Sequence, residues 1–192
     1  MSPGNGGEQE STPEIERTEH PRIYAASLSD YNAGRLHGAW IDGDQPADDI
    51  DQQIKEMLAK SHDSTAEGWA IHDYEGFYGM HLGEWENIEH IATIGQGIAE
   101  HGPAFAAWAD LLGSSRWADE LDGFEDAYRG EWESMEAYAE DLLDDFGVEE
   151  ALDQLGDWLR PYVRVDTEAF ARDISSDLNL VPSPNGGVYL FD

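Results

Sequence analysis

The chain has 192 residues, of which 40 % are apolar, and its formal net charge at pH 7 is −32. Together with 7 Trp, 8 Tyr and 6 Phe, this apolar fraction indicates a folded protein and excludes a purely disordered acidic chain. The charge repels nucleic acid and anionic membranes, so we expect a strongly basic partner instead. The absence of cysteine excludes disulfides and thiol chemistry and favours a reducing, cytoplasmic location. No apolar run approaches the roughly 18 residues of a membrane span.

Residues 1–20 are rich in Gly, Pro, Ser and Glu and are predicted to form a disordered, flexible acidic tail. Two strand-like segments follow, Arg22–Leu28 and Arg35–Ile41. The segment between them, Ser29–Gly34, contains the Asn and Gly that suit a turn. The pattern therefore predicts an antiparallel hairpin.

A helix is predicted after the hairpin, with Asp44 as its N-cap and Pro46 in its first turn. It extends to about Lys60, since its apolar residues recur at helical spacing. These residues are Ile50, Ile54, Met57 and Leu58. Trp69–Tyr74 then predicts a third strand.

The central part of the chain has helical patterns. Trp85–Glu100 predicts a helix that stops at Gly102. Pro103 begins an alanine-rich helix that runs to Leu112. Trp117–Leu121 predicts one more helical turn.

Five further elements are predicted in the C-terminal part. In chain order they are a strand over Phe124–Arg129, an acidic helix over Ser134–Phe146, a helix over Glu149–Leu159 ended by Pro161, a helix from Asp166 or Thr167 to about Leu178, and a closing strand over Val188–Phe191. Because the strands are segregated rather than alternating with helices, we predict an α+β fold built from small modules.

The charge is concentrated between Asp119 and Asp157, where 16 carboxylates accompany one basic residue, Arg129. One face of the acidic helix has an apolar stripe, formed by Met135, Tyr138, Leu142 and Phe146. The opposite face has the acids Glu133, Glu136, Glu140 and Asp144. Neighbouring acids on this face repel each other by roughly 0.2–0.5 kcal/mol per pair, which indicates that the charge serves an external partner. Their spacing of about 6 Å is of the same order as the roughly 3.4 Å between phosphates along a strand.

The sequence contains no His-Glu-x-x-His pair, no phosphate-binding glycine loop and no exposed-serine elbow. Asp42–Asp44 faintly resembles a calcium loop, but the glutamate that would close it is missing. His72 and Asp73 are residue types that could serve as a general base and the acid that orients it. Adjacent side chains on a strand point to opposite faces, however, so these two are not expected to interact. We therefore predict no catalytic residue, no metal site and no cofactor. A hydrolase that uses two of the 42 acids as a carboxylate pair stays an alternative.

Adaptation to a salt-rich cytoplasm is a second possible origin of the charge. Only Lys55 and Lys60 among the 10 basic residues are lysines, as expected of such a surface. The concentration of acids in the last third of the chain favours a role toward a partner, and both explanations can hold together.

Several segments resemble the ArdA-type antirestriction proteins. They are PRIYAASLSDYNAGRLHGAWID from Pro21, WAIHDYEGF from Trp69, YRGEWESMEAYAEDLLDD from Tyr128, RVDTEAFARDI from Arg164 and VYLFD from Val188. They occur in the family's order and at about its spacing. The chain departs from the family pattern at Arg164 and Thr167, where the family tends to have tyrosine.

The resemblance implies a non-enzymatic inhibitor, carried by mobile DNA, that mimics bent B-form DNA. Its partner would be a type I restriction-modification enzyme, in the DNA-binding groove of the specificity and methyltransferase core. The resemblance also implies an elongated homodimer of three modules: 21–82, an N-terminal antiparallel sheet plus helix; 83–124, a central helical module; and 125–192, a C-terminal mixed α/β module with the dimer contact. Without the tail each chain carries −28, the charge of roughly 14 base pairs.

The residues expected to stand in for phosphates lie in all three modules. They are Asp48, Asp49, Asp51, Glu84, Glu86, Glu89, Glu131, Glu133, Glu136, Glu140, Asp141, Asp144, Asp145, Glu149, Glu150, Asp153 and Asp157. The residues expected at the dimer contact are Leu152, Leu155, Leu159, Tyr162 and Val165. An alternative function is a general acidic binding protein or chaperone for basic DNA-associated proteins.

Overall fold

The fold contains two three-stranded antiparallel sheets. The computed structural model describes residues 20–192. The N-terminal sheet has β1 (Arg22–Ser27) at its centre, between β2 (Gly38–Asp42) and β3 (Trp69–Glu75). Both neighbours pair antiparallel with β1, so the predicted hairpin and third strand are confirmed. The tail predicted over 1–20 lies, apart from its last residue, outside the described residues.

A short helix, rather than a simple turn, follows β1. This helix, α1 (Leu28–Asn32), has Ser27 as its N-cap, and the Ser27 hydroxyl accepts a hydrogen bond from the Asp30 N–H at 3.4 Å. Serine is a favoured N-cap because its oxygen satisfies an N–H that has no partner within the helix. The turn predicted over Ser29–Gly34 is therefore wrong in form, although the strands that it connects pair as expected.

The next helix, α2 (Ala47–Leu58), packs its apolar face on the sheet and buries Ile50, Ile54 and Met57. The helix is confirmed, but its predicted start is wrong. Pro46 is the N-cap residue and makes no side-chain cap hydrogen bond, while Asp44 lies two residues farther from the helix. Proline fits there because it lacks an N–H and its fixed φ allows the chain to enter the first turn without strain.

Two longer helices form the central part. α3 (Ile88–His101) and α4 (Pro103–Leu112) meet at Gly102, whose φ of 66° favours glycine. The short α5 (Trp117–Glu120) follows. The sharp corner at Gly102 lets the apolar faces of α3 and α4 pack against each other, and the helices predicted here are confirmed in type and order.

The start of α3 differs from the prediction, which placed it at Trp85. Asn87 is the N-cap, and its Oδ1 accepts a hydrogen bond from the Glu89 N–H at 3.0 Å. The cap sets the first turn at Ile88, so Trp85 stays outside the helix with 68 % of its surface exposed.

One continuous core joins the N-terminal sheet to the central helices. Its buried residues include Ile23 of β1, Ile50 of α2, Ile94 of α3 and Trp108 of α4. Buried aromatic residues near the C-terminus of the chain also belong to this core. The boundaries of the three modules given above stay predictions.

The C-terminal part contains the second sheet, with strand order β4-β6-β5. Its elements are α6 (Phe124–Ala127), β4 (Tyr128–Trp132), α7 (Met135–Asp145), α8 (Val148–Asp153), α9 (Thr167–Ile174), β5 (Asn179–Pro182) and β6 (Val188–Phe191). The acidic helix and the closing strand are confirmed, and Asp166 caps α9 through the Ala169 N–H at 2.9 Å. The edge strand β5 was not predicted, because it is short and ends in proline.

Three elements predicted in the C-terminal part differ in extent. The strand over Phe124–Arg129 is wrong in its first half, because Phe124 is buried in the main core as part of α6. The helix over Glu149–Leu159 ends at Asp153, since glycine and proline follow. The helix to Leu178 ends four residues earlier and continues as a single 3-10 turn. No helix among the described residues is long and apolar enough to span a bilayer.

A second, smaller core lies under α7. Met135 and Ala139 of α7 pack there with Ala171 of α9 and Leu190 of β6. The apolar stripe predicted on α7 is right at Met135 but wrong at its last member. Phe146 follows the final residue of the helix and is 71 % exposed, because the helix ends before its next turn could bring this ring to the core.

Replacing Gly95 with alanine tests how closely α3 packs against the connection between β2 and α2. A Cβ at Gly95 would lie 2.2 Å from the backbone oxygen of Gly43, an atom that cannot move aside as a side chain can. We expect Gly95→Ala to lower the free energy of unfolding by about 1–3 kcal/mol, as overpacking does, in urea titrations followed by tryptophan fluorescence. The control Gln96→Ala, exposed on the same helix, should change it by less than about 0.5 kcal/mol. Equal stability of the two variants would contradict the close packing.

Candidate functional site

The carboxylates of the described residues lie almost entirely at the surface. Asp30 is the only buried one among residues 20–192, and Asp44, Asp51, Asp63 and Glu86 are half-buried. No two buried carboxylates therefore meet in this part of the chain, and the geometry of a carboxylate-pair hydrolase does not occur there. The acids lie on exposed faces of helices and loops, where a partner can reach them.

The helix α7 carries the densest group of free carboxylates. Ser134 caps it, since the Ser134 Oγ accepts a hydrogen bond from the Ala137 N–H at 3.2 Å. Five exposed carboxylates lie within it: Glu136, Glu140, Asp141, Asp144 and Asp145. In the part of the chain that the structure describes, no lysine or arginine forms an ion pair with any of them. The outer face of α7 is therefore uncompensated negative charge.

Two arginines flank this acidic region without reaching α7. Between Arg129 and Arg160 the sequence has 11 carboxylates and no lysine or arginine. Arg129 pairs with the terminal residue Asp192. Arg160 donates to Glu149 through Nη2 and to Asp153 through Nε at 3.3 Å. Arg160 thus partly neutralises the charges of Glu149 and Asp153. The neighbouring Glu150 and Asp157 are exposed and form no ion pair among the described residues.

Glu131 of β4 is exposed but has a structural contact. Its Oε1 accepts hydrogen bonds from the Ser183 hydroxyl and from Asn185 Nδ2, the latter at 3.0 Å. These bonds connect β4 to the turn between β5 and β6. Glu133, which follows the last residue of β4, is exposed and forms no such contact among the described residues. Of these two predicted phosphate mimics, Glu133 is the one free to face a partner.

The predicted phosphate mimics outside the C-terminal part lie mostly at helix starts. Asp48 and Asp49 occupy the first turn of α2, and Asp51 forms an ion pair with Lys55 one turn later. Glu89 occupies the first turn of α3. An acid in the first turn interacts favourably with the helix dipole, by about 0.3–1 kcal/mol. These residues therefore stabilise their helices while remaining at or near the surface.

Glu84 and Glu86 precede α3 and differ in exposure. Glu84 is exposed, whereas Glu86 is half-buried. The Oε1 of Glu86 accepts a hydrogen bond from the Asn87 N–H at 3.1 Å and lies 3.2 Å from His90 Nδ1. Glu86 therefore helps to fix the start of the helix, whereas the Glu84 carboxylate has no hydrogen-bond or ion-pair partner within residues 20–192.

The residues predicted for the dimer contact differ in burial. Leu152, Leu155 and Leu159 are half-buried, whereas Tyr162 is 83 % and Val165 39 % exposed. Of these five, Leu152 and Val165 line a groove of about 230 Å³ beside α7 and α8, together with the apolar residues Leu143 and Val148. The apolar surface there continues beyond the predicted residues.

Two exposed aromatic residues in the same part of the chain were missed. Trp158 is 77 % and Phe146 71 % exposed. Sequence analysis placed Trp158 inside a helix and Phe146 in a buried stripe, so neither was assigned to the surface. The available signal was Gly156, which ends the helical pattern before Trp158.

Asp30 was also missed by sequence analysis. Its side chain is fully buried and accepts hydrogen bonds from the Ser61 hydroxyl and from Arg35 Nε, the latter at 3.0 Å. His62 Nδ1 lies 3.2 Å from the Asp30 Oδ1. The hydrogen bond from Ser61, with those from Arg35 and Ser27, holds the pKa of the Asp30 carboxyl well below its ordinary value of 3.8. The group is therefore ionised at neutral pH despite its burial.

Replacing Asp30 with asparagine should destabilise the protein most near neutral pH. Because the folded-state pKa of Asp30 is lowered, its ionised form contributes stability above the unfolded-state pKa, and this contribution is lost as the pH falls through the folded-state pKa. We expect the loss of unfolding free energy in Asp30→Asn to be constant near neutral pH and to shrink below about pH 4. Urea titrations at a series of pH values measure it. Asp110→Asn, at an exposed acid, should show little loss at any pH; a loss for Asp30→Asn that grew toward acid pH would contradict the pKa direction.

Comparison with known protein families gives one match that covers most of the chain. The family model described as antirestriction protein (ArdA) matches residues 23–189. The matched range contains every residue proposed above as a phosphate mimic or dimer contact. A search of curated proteins finds no match.

Proposed function

Because the chain belongs to the ArdA family of antirestriction proteins, we propose that it inhibits type I restriction-modification enzymes in the cytoplasm as an acidic mimic of duplex DNA. It would act without catalysis, by occupying the groove that binds DNA. The observation that carries the proposal is the outer face of α7, whose five exposed carboxylates have no lysine or arginine partner among the described residues. A groove that binds phosphates offers the basic side chains that this face lacks.

The charge spacing along α7 supports mimicry of one DNA strand. From Glu136 to Asp145 the helix rises about 13.5 Å, at about 1.5 Å per residue. Its five carboxylates therefore follow each other at a mean axial interval of about 3.4 Å, which is also roughly the interval between phosphates along one strand. A helix fixed at its N-cap and on its inner face keeps this spacing before binding, so little ordering is required when the partner arrives.

The repulsion within α7 gives a basic partner a source of binding free energy. Glu136 and Glu140, Glu140 and Asp144, and Asp141 and Asp145 are like-charged pairs four residues apart. Each pair costs roughly 0.2–0.5 kcal/mol in an isolated helix. Basic side chains placed against this face would relieve the repulsion in many small steps. Affinity should therefore depend on the number of carboxylates rather than on any one, and it should fall with increasing salt.

The free carboxylates of the other modules extend the proposed surface. Asp48, Asp49, Glu84 and Glu89 are exposed and would contribute to it. Predicted mimics that already have an internal partner would contribute less, because a partner must compete with the existing contact. They are Asp51, Glu86, Glu131, Glu149 and Asp153.

A homodimer would double the length of this surface, and we propose that it forms through the C-terminal part. Trp158, Tyr162 and Phe146 each expose more than two thirds of their surface. Large apolar side chains gathered in one part of a chain mark an interaction surface. Contact between two copies would cover them together with Val165 and the half-buried leucines of this part.

Removing charge from α7 should weaken inhibition in steps. We expect any one of Glu136→Gln, Glu140→Gln or Asp144→Asn to change inhibition of a purified type I enzyme only slightly. The triple variant should weaken it by roughly tenfold at low salt, because each exposed ion pair contributes about 0.2–1 kcal/mol. The measurement is the inhibitor concentration that halves cleavage of unmodified DNA. The control is a second triple variant, Glu67→Gln with Asp110→Asn and Asp177→Asn, which removes the same charge from exposed positions outside the proposed surface.

The outcomes separate the competing hypotheses. Mimicry predicts that the control triple variant inhibits like the parent and that duplex DNA displaces the protein from the enzyme. Equal weakening by both triple variants would show an effect of net charge alone. A single substitution that abolished inhibition in a folded dimer would contradict mimicry. Binding to many basic proteins without preference for the restriction enzyme would favour a general acidic chaperone.

The dimer contact is tested by placing a charge in it. We expect Tyr162→Glu to raise the dimer dissociation constant by at least about 30-fold, since a central aromatic contact is worth about 2 kcal/mol or more. Size-exclusion chromatography with light scattering at several protein concentrations measures the change. The control is Trp85→Glu, which alters another aromatic residue that is 68 % exposed but lies outside the proposed contact. A parent protein that is monomeric at all concentrations would disprove the proposed contact.

A further inference from the structure

Three side chains of metal-ligand type meet beside the N-terminal sheet. They are Asp30, His37 and His62, and one ligand atom of each lies within 4.8 Å of those of the other two. They come from α1, from the loop before β2 and from the loop after α2. We propose that these three residues bind one transition-metal ion of the zinc class, a site separate from the acidic face of α7.

One ring nitrogen of His37 has a backbone partner, and the other is available to a metal ion. Its Nε2 lies 2.8 Å from the carbonyl oxygen of Met57. A carbonyl oxygen only accepts, so Nε2 carries the ring proton and Nδ1 has a free lone pair. Histidine ligands typically donate their other ring N–H to a carbonyl or carboxylate, which fixes the tautomer and the ring orientation. The contact with Met57 supplies this second interaction.

His62 and Asp30 form the other half of the site. The His62 Nδ1 and the Asp30 Oδ1 are 3.2 Å apart, a separation that one zinc ion about 2.0–2.2 Å from each ligand atom can span. A metal ion between them would bind both atoms, with the ring proton of a neutral His62 on Nε2.

The buried carboxylate is well placed to be the anionic ligand. Asp30 is fully buried, and the buried oxygen that faces His62 also accepts a hydrogen bond from Arg35 Nε. Arg35 is 46 % exposed, so its guanidinium can turn into solvent when a metal ion competes for this oxygen. The competition makes the site weaker than a closed four-ligand zinc site.

The choice of metal follows from the ligand types. Two imidazoles and one carboxylate suit zinc, cobalt or nickel, whereas magnesium and calcium prefer oxygen ligands alone. The exposed carboxylates elsewhere on the chain offer oxygen only, and they should bind magnesium weakly and without order. Magnesium in excess therefore occupies the acidic surface and leaves the proposed site to zinc.

The experiment is calorimetric titration of zinc chloride into the untagged full chain, with millimolar magnesium present. We expect about one zinc ion per chain. At a hundredfold excess over the dissociation constant, the melting temperature should rise by roughly 5–10 °C. His37→Gln and His62→Asn should each lower zinc affinity at least tenfold. These variants keep an amide N–H that can donate to Met57 and to Asp30, so the fold should persist. His81→Gln, at an exposed histidine outside the cluster, should bind zinc like the parent.

A second measurement needs no variant. In NMR spectra of the parent protein, zinc should shift the imidazole signals of His37 and His62 and leave those of His81 unchanged. Equal affinity in the parent, His37→Gln and His62→Asn would place zinc on the surface carboxylates and overturn the proposal. So would the absence of a stoichiometric transition, or imidazole shifts confined to other histidines.

Discussion

The acidic surface depends on a narrow apolar contact that holds α7 by one side only. Ala139 is fully buried and Met135 nearly so, and both pack with Ala171 and Leu190. A small residue at position 139 lets α7 approach α9 closely without a bulky side chain that would draw more of the helix into the core. Because so little of α7 is used for packing, its carboxylates stay hydrated and avoid the desolvation cost that burial imposes on a charge.

The carboxylates divide into two classes that differ in what surrounds them. Asp30 is buried and ionised because hydroxyl and guanidinium groups donate hydrogen bonds to it, so its charge is neutralised by contacts inside the fold. The acids of α7 have no such donors among the described residues, and their charge is available to another molecule. A carboxylate therefore makes internal contacts in the N-terminal part, whereas the carboxylates of the C-terminal part create a negative electrostatic potential at the surface.

The sequence was sufficient where one element contained its own signals. The 3.6-residue period predicted α7, and Pro103 predicted the start of α4. It was insufficient where contacts between distant segments decide the outcome. The bond from Asn185 to Glu131 and the meeting of Asp30 with His62 join residues 54 and 32 positions apart, and no local pattern encodes either. The exposure of the acids on α7 was predictable because they lie outside the apolar stripe of that helix.

The positions of the cations distinguish partner recognition from general solvation. Arg22, Lys55 and Arg116 each pair with a carboxylate of their own neighbourhood, and Arg160 joins two acids at α8. A surface adapted only to salt would gain most from a cation where like charges are densest, since repulsion is greatest there. Within the described residues, like charges are densest on α7, and no lysine or arginine pairs with its carboxylates. Relief must then come from outside the chain, and a basic groove supplies it in a way that dissolved salt, which screens without ordering, does not.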